Sequence, residues 1–201
     1  MITLWRKAWD TDSKQQSQTP LSRGNRFNLE LKARDPAPAL TVARVLATGA
    51  VFHGVLRQED IYFQTPSGRL KLRQQSPGRP HLVRYDRADS VGPRVSSYSL
   101  VDIDLDDPSV KQWLAQQTAV AAVRKYRRLY LLNNIRIHLD RVDTLGDFVE
   151  FEAVASSEPE AERNRRHLNV LVRDLRLVEA HMVAGSYADM VEDSTIGGEL
   201  K

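Results

Sequence analysis

The segment Arg26-Phe-Asn-Leu-Glu-Leu-Lys-Ala-Arg34 alternates apolar and polar side chains without interruption. Successive side chains of a β-strand point to opposite faces, so this period of two predicts a strand. One face of it would be apolar, and the other would present Asn28, Glu30 and Lys32. An ionised face at the middle of a strand is the feature that any account of the fold has to explain.

Similar alternation, bounded by turn residues, predicts seven further strands along the chain. They are Val51–Gln64, Arg69–Arg73, Pro80–Arg87, Arg94–Ile103, Ala121–Leu131, Asn134–Val142 and Asp147–Ala155. Helical spacing with Pro, Asp or Gly at the boundaries predicts helices at Ala37–Gly49, Pro108–Thr118 and Pro159–Asp174. Eight strands and three principal helices indicate an α+β fold with a mainly antiparallel sheet.

The two ends of the chain differ in composition from the part between them. A length of 201 residues suits one domain, with little beyond it. Residues 1–24 are mostly polar and lack periodicity, and the last residues include Gly197-Gly198. We therefore expect a flexible leader over 1–24, one domain over 25–192 and a disordered tail over 193–201.

Composition excludes several classes of protein and site. The absence of cysteine rules out disulfides, thiolate zinc sites and a cysteine nucleophile. The sequence contains no apolar run long enough for a transmembrane helix and no secretory signal, which predicts a cytoplasmic protein without a membrane partner. The net charge of +3 is a small excess for a nucleic-acid binder, and we expect no nucleic-acid partner.

The polar faces of five predicted strands concentrate ionised residues of both signs. They carry seven bases (Lys32, Arg69, Lys71, Arg73, Lys125, Arg127, Arg136) and four acids (Glu30, Asp140, Glu150, Glu152). A solvated face of an antiparallel sheet is one interpretation of this pattern. An enclosed face is the other, and it would require a bound anion and cation because uncompensated buried charge is costly. Arginines suit phosphate oxygens and carboxylates suit Mg²⁺ or Mn²⁺, so a charged interior predicts a polyphosphate with its metal ion.

Seven segments, in order along the chain, resemble the CYTH domain of class IV adenylyl cyclases, thiamine triphosphatases and related triphosphate tunnel metalloenzymes. They are Asn28–Lys32, Gln58–Phe63, Arg69–Arg73, Arg124–Arg128, Arg136–Asp140, Gly146–Glu152 and Gly185–Tyr187. The resemblance spans residues 25–191 and implies an eight-stranded antiparallel β-barrel, a tunnel with flanking helices. A monomer or homodimer is expected.

The resemblance also implies roles for individual residues. Glu30 is similar to a metal-binding signature glutamate and Lys32 to the signature lysine that contacts substrate, which makes both candidate catalytic residues. The implied substrate-binding set is Lys32, Arg69, Lys71, Arg73, Lys125 and Arg127, with Arg84 or Arg87 at the next basic position and Arg136 from the charged faces. The implied metal ligands are Glu30, Asp140, Glu150 and Glu152, with Mg²⁺ or Mn²⁺ as cofactor.

One position departs from the family pattern: Asn28 stands where the first signature glutamate is expected. An amide oxygen can coordinate a cation but brings no charge and cannot act as a general base. The segment around it is most similar to the class IV adenylyl cyclase branch, which implies conversion of ATP to cyclic AMP and pyrophosphate. Two alternatives stay open: a triphosphatase acting on inorganic or organic triphosphates such as thiamine triphosphate, and a binding module for polyphosphate or nucleotide that does not turn over. The partner in each case is a small molecule containing a triphosphate, ATP or another.

Overall fold

A computed structural model describes residues 26–191, so the predictions for residues 1–24 and 193–201 lie outside the described residues. Its strands are β1 Arg26–Arg34, β2 Val51–Phe63, β3 Arg69–Ser76, β4 His81–Arg87, β5 Arg94–Asp102, β6 Ala119–Leu132, β7 Ile135–Val142 and β8 Gly146–Ala155. They close into one barrel in the order β1-β5-β4-β3-β2-β6-β7-β8. Each neighbouring pair is antiparallel. The predicted eight-stranded antiparallel barrel with flanking helices is confirmed.

The helices that lie wholly within the described residues are α1 Pro38–Ala47, α2 Pro108–Ala115, α3 Glu158–Arg163 and α4 Arg165–Asp174, followed by a 3₁₀ turn at Glu179–His181. A further helical segment begins at Tyr187. The prediction of one helix over Pro159–Asp174 was wrong, because Asn164 separates α3 from α4. The Asn164 amide donates to the Glu160 carbonyl and accepts from Asn134 Nδ2, which ties this junction to the β6–β7 turn. No helix within residues 26–191 combines the length and apolar character needed to cross a bilayer.

The apolar core of this molecule lies largely outside the barrel, between its strands and the helices. The largest cluster joins the outward faces of β1, β7 and β8 to α1 and α4, through residues such as Leu29, Leu31, Val45, Ile137, Phe151, Leu168 and Leu171. Another outer cluster joins Leu72 and Leu82 to Val110 of α2, whereas a smaller apolar cluster lies at the inward strand faces and contains Tyr62, Val123, Val142, Phe148 and Tyr187. Because the apolar faces are covered in this way, the charged faces of the same strands point into the barrel.

The chain beyond α4 covers one end of the barrel. The Val183 amide donates to the Lys32 carbonyl at 2.9 Å, near the end of β1. The Tyr187 hydroxyl donates to Asp140 at 2.9 Å, and the Tyr187 ring packs edge-on against Phe148. The barrel is therefore closed by side chains and backbone at this end.

Strand register places the charged residues of β1, β7 and β8 directly opposite one another. The cross-strand pairs are Glu30–Glu152, Lys32–Glu150, Arg136–Glu152 and His138–Glu150. Side chains opposite each other on one face lie within interaction distance. A shift of register by one residue would send all of them to the apolar exterior, so the outward core also fixes the interior.

We expect Leu168→Ala to lower the free energy of unfolding by about 2–5 kcal/mol, because Leu168 is fully buried between α4 and the barrel. Leu40→Ala on α1 is the matched control. Leu40 is 57% exposed, and its loss should cost less than about 1 kcal/mol. Urea unfolding at equilibrium measures both values. Similar losses for the two variants would contradict an outward core.

Candidate active site

The interior of the barrel, here called the lumen, contains a cavity of about 310 Å³. This volume lies at the lower end of the range for small-molecule sites. Most of the residues that the sequence singled out line it: Glu30, Lys32, Lys71, Arg73, Arg87, Lys125, Arg127, Arg136, Glu150 and Glu152. Residues that are distant in sequence thus line one cavity, which is large enough for a small molecule.

Two predicted substrate-binding residues, Arg69 and Arg84, are placed elsewhere. Arg69 faces inward at the end of β3, but its guanidinium pairs with Asp89 at 2.6 Å and Asp189 at 3.1 Å. Arg84 is exposed on the outer face of β4, since alternation along that strand turns Arg87 into the lumen instead. Of the two alternatives for this basic position, Arg87 is the one at the cavity. Neither Arg69 nor Arg84 lines the cavity.

The first charged cluster of the lumen is centred on Asp60 of β2, whose side chain is fully buried. Its carboxylate accepts hydrogen bonds from Lys71 Nζ at 3.0 Å, Lys125 Nζ at 2.7 Å and two Arg73 nitrogens at 2.7 Å each. Asp60 was not among the predicted site residues. Its signal was available, because alternation with Gln58 and Tyr62 places it on the inward face.

Burial and charge shift the pKa values within this cluster in opposite directions. Burial works to raise the pKa of Asp60, but Arg73, Lys125 and Lys71 outweigh it and hold that pKa well below its ordinary value. Burial, aided by Arg73, lowers the pKa of Lys71 to about 7. Burial likewise lowers the pKa of Lys125 to about 8, against the attraction of Asp60. An anion that enters the cavity will favour the protonated lysines.

The second cluster is centred on Arg127 of β6. Its guanidinium donates to both oxygens of Asp140, at 2.7 and 2.6 Å, and to Glu150 at 2.7 Å. Burial works to raise the pKa of Asp140, and the adjacent Arg127 overcomes it and lowers that pKa. Asp140 was predicted as a metal ligand, but its oxygens are engaged by Arg127 and Tyr187 and it does not line the cavity. In this arrangement it supports Arg127.

The third cluster pairs Glu30 of β1 with two arginines. One Glu30 oxygen lies 3.1 Å from Arg87 Nη1 and 3.3 Å from Arg94 Nε. Burial raises the pKa of Glu30, although the charge of Arg87 opposes this. Arg94 is buried and was not predicted; the alternation of Arg94, Ser96 and Tyr98 along β5 was the signal for it. Both arginines contact the same oxygen of Glu30, so they would compete with a cation for that atom.

A group with metal-ligating chemistry lies on β7 and β8. Ligand atoms of His138, Glu150 and Glu152 all fall within 4.8 Å of one another. His138 Nδ1 is 3.2 Å from Glu150, which also lies 3.6 Å from Lys32 Nζ. Two carboxylates and an imidazole fit a divalent cation in charge and donor type. Glu30 lies beside this group, opposite Glu152 in register.

Asn28 is buried in the lumen wall, and its side-chain oxygen has no hydrogen-bond partner among the described residues. A buried polar atom without a protein partner is uncommon, and water or a bound group commonly satisfies such an atom. The amide oxygen therefore contributes a neutral acceptor two residues from Glu30. It adds no charge to the carboxylates that would hold a cation.

A closed antiparallel barrel whose interior is ionised and whose core lies outside defines a tunnel protein. The family model of the CYTH domain matches residues 26–187, and the chain belongs to the CYTH family. The resemblance found in the sequence is confirmed over nearly all of the described residues.

Several known proteins are similar to this chain over most of its length. Adenylate cyclase CyaB of Aeromonas hydrophila is 25% identical over 177 residues, which cover 84% of this chain and 91% of that protein. The structure of a candidate adenylate cyclase from Vibrio parahaemolyticus aligns with a TM-score of 0.67 at 20% identity, covering 83% of this chain and 98% of that one. A candidate adenylyl cyclase from Hippeastrum, described as having a dominant triphosphatase activity, aligns with a TM-score of 0.54 at 14% identity. The alignment covers 80% of this chain and 91% of that one. These structures share the fold.

The lowered lysine pKa values predict that stability rises with pH above neutrality. Lys71 loses its proton near pH 7 in the folded chain, against an ordinary pKa of 10.5. Between about pH 7 and pH 10 the unfolded chain therefore binds more protons, and the free energy of unfolding increases with pH. Urea unfolding across this range should show a shallower increase for Lys71→Met than for the wild type.

Lys111→Met is the control for this measurement, because Lys111 lies exposed on α2. It should retain the wild-type slope. Identical slopes for Lys71→Met and the wild type would contradict the assignment of Lys71 as a lysine that is neutral in the folded chain above pH 7.

Proposed function

We propose that this chain is a metal-dependent enzyme that acts on a triphosphate substrate inside the lumen, with adenylyl cyclase-type activity. The observation that carries the proposal is the meeting, around one enclosed cavity, of a cationic wall on β3 and β6 with a carboxylate and imidazole group on β7 and β8. Membership in the CYTH family supports it. Residues 25–192 form the unit to which the proposal applies.

The cationic wall would bind the phosphates. Lys71, Arg73, Lys125 and Arg127 line the cavity from neighbouring parts of the barrel. Arginine binds phosphate oxygens through two parallel hydrogen bonds, and lysine adds a mobile point charge. Arg87 and Arg136 would extend this surface, and Lys32 would contact the phosphate nearest the carboxylates.

The carboxylates would hold the metal ion. Glu150, Glu152 and His138 form the group, with Glu30 as the adjoining carboxylate, and the oxygen ligands favour Mg²⁺ or Mn²⁺. A bound divalent cation would neutralise charge on the phosphoryl oxygens and orient the substrate. The surrounding protein residues would exclude water and hold the polyphosphate in line for reaction.

In the cyclase reaction the 3′-hydroxyl oxygen of ATP bonds to the α-phosphorus, and the bond from that phosphorus to pyrophosphate breaks. The hydroxyl proton leaves with the products or the solvent. No covalent bond to the enzyme is needed, which agrees with a chain that contains no cysteine. The similarity to adenylate cyclase CyaB along 91% of that protein favours this reaction.

Triphosphatase activity is the second candidate. The Hippeastrum protein of the same fold has a dominant triphosphatase activity. The same wall and metal-holding group would serve attack by water on the terminal phosphorus. Asn28 weakens this candidate, because an amide supplies no general base to activate water.

Product analysis tests the proposed function. The full chain would be incubated with Mg²⁺ or Mn²⁺ and ATP, thiamine triphosphate or inorganic triphosphate, and the products separated by chromatography. Cyclic AMP with pyrophosphate supports the cyclase, and orthophosphate shows the triphosphatase instead. Binding without turnover would leave a binding module and contradict both enzymatic candidates.

Glu152→Gln should weaken Mn²⁺ binding by about tenfold or more, since it removes one carboxylate from the proposed metal group. Glu152 is a better test than Glu150, which also pairs with Arg127 and Lys32. The electron paramagnetic resonance signal of free Mn²⁺ gives the affinity directly.

Glu158→Gln is the matched control for this measurement. Glu158 is exposed at the start of α3, away from the cavity, and the change should leave Mn²⁺ affinity as in the wild type. Equal affinities for Glu152→Gln and Glu158→Gln would remove the metal group from the proposal.

A further inference from the structure

Asp60 has an unusual place in the lumen wall. Its carboxylate is hidden from the cavity, whereas its hydrogen-bond partners face the cavity. Its side chain is fully buried and does not line the cavity. The three cations that donate to it, Lys71, Arg73 and Lys125, all do. A substrate would thus meet the cations and not the carboxylate.

We propose that Asp60 is a positioning residue, which holds the cationic groups of Lys71, Arg73 and Lys125 as one cluster on the lumen wall for the phosphate oxygens of the substrate. The inference rests on the proposed function, since it assumes a polyphosphate in the cavity. Asp60 acts through its partners and does not contact substrate.

Strand order makes Asp60 the common point of this cluster. β2 is the strand between β3 and β6. Asp60 lies opposite Arg73 on one side, while on the other side Lys125 is one step away along the inward face. Long cationic side chains have many rotamers and repel one another, and fixing them has an entropic cost. A shared buried carboxylate fixes all three before substrate arrives.

Asp60 also determines the charge state of the two lysines. Lys71 faces Tyr62, Tyr85, Arg73 and Lys125. Burial lowers its pKa, and Asp60 is the carboxylate that opposes this effect. Without that carboxylate, Lys71 would lose its proton at a lower pH and would bind phosphate less well near neutrality.

Lys125 has different neighbours, but its charge state also depends on Asp60. It faces Arg127, Asp140 and the Tyr187 ring, whose centroid is 5.5 Å from its Nζ, in addition to Asp60 and Arg73. Asp140 is already bound by Arg127, so Asp60 is the carboxylate that hydrogen-bonds Lys125 directly. Loss of Asp60 should therefore lower the pKa of both lysines together.

A purely structural role predicts a different result. If Asp60 only stabilised the fold, its replacement would lower stability and change affinity by the same factor at every pH. The pH dependence of affinity is thus the readout that separates positioning from folding.

The experiment compares the wild type with Asp60→Asn in the full chain, between about pH 6 and pH 9 at constant Mg²⁺. Isothermal titration calorimetry would measure binding of diimidotriphosphate, a triphosphate whose bridging oxygens are replaced by NH groups that resist hydrolysis. The ratio of the two Kd values cancels the titration of the ligand itself. We expect Asp60→Asn to bind more weakly than the wild type at every pH, because the three cations are no longer held together. The ratio should also rise by about tenfold between about pH 6 and pH 8.5, because one pKa unit corresponds to a tenfold change.

Glu59→Gln is the matched control, a carboxyl-to-amide change one residue away. Glu59 points outward and pairs with Arg124 at 3.0 Å. It should reproduce the wild-type affinity at each pH. A Kd ratio for Asp60→Asn that stays constant across the pH range would overturn the positioning role, whatever its size.

Failure of the proposed function and unfolding of the variant can each be told apart from failure of the positioning role. A wild-type chain that does not bind the triphosphate analogue at any pH would contradict the proposed function itself. If circular dichroism shows that Asp60→Asn is unfolded, the double variant Asp60→Asn/Lys71→Met is compared with the single variant Lys71→Met. Both lack one of the mutually repelling cations. The ratio of their Kd values should still depend on pH, because Lys125 remains, and a constant ratio overturns the proposal.

Discussion

Ionised side chains enclosed in a barrel are stable only when they have partners, because an unpaired charge loses its hydration on burial. Each carboxylate of the lumen meets this constraint through cations on other strands: Asp60 with three, Asp140 and Glu150 with Arg127, Glu30 with two arginines, and Glu152 with Arg136. The charges therefore form interlocked clusters. Packing of the apolar faces against external helices leaves the interior free for them.

Pairing within the protein does not neutralise the lumen. Eight cationic side chains face five carboxylates in and directly behind its wall; the cations are Lys32, Lys71, Arg73, Arg87, Arg94, Lys125, Arg127 and Arg136, and the carboxylates are those of Glu30, Asp60, Asp140, Glu150 and Glu152. The low pKa values of Lys71 and Lys125 relieve part of this excess in the absence of an anion. A bound polyphosphate would raise these pKa values again and return both lysines to their charged form. The cavity thus favours a highly charged anion, and in the proposed function the carboxylates of β8 would hold its cation.

Much of this arrangement was readable in the sequence, and the physical reason is alternation. A period of two locates the strands and separates their faces, so Glu30, Lys32 and Lys71 could be assigned to one surface. Alternation does not say which face is enclosed, and only the resemblance to a known family predicted a closed barrel. It also does not reveal contacts between strands: the sequence predicted Asp140 as a metal ligand and did not show that Arg127, 13 residues away on the adjoining strand, engages its oxygens. Asp60 was passed over because its role depends on cations from β3 and β6, which strand order alone brings together.

If the ionised interior binds the polyphosphate with its metal ion, a crystal structure of the full chain with Mn²⁺ and diimidotriphosphate will show phosphate density against Lys71, Arg73, Lys125 and Arg127. An anomalous manganese peak is expected beside Glu150 and Glu152. Density for the anion on the exterior, with an unliganded lumen, would show that the outer surface binds it instead.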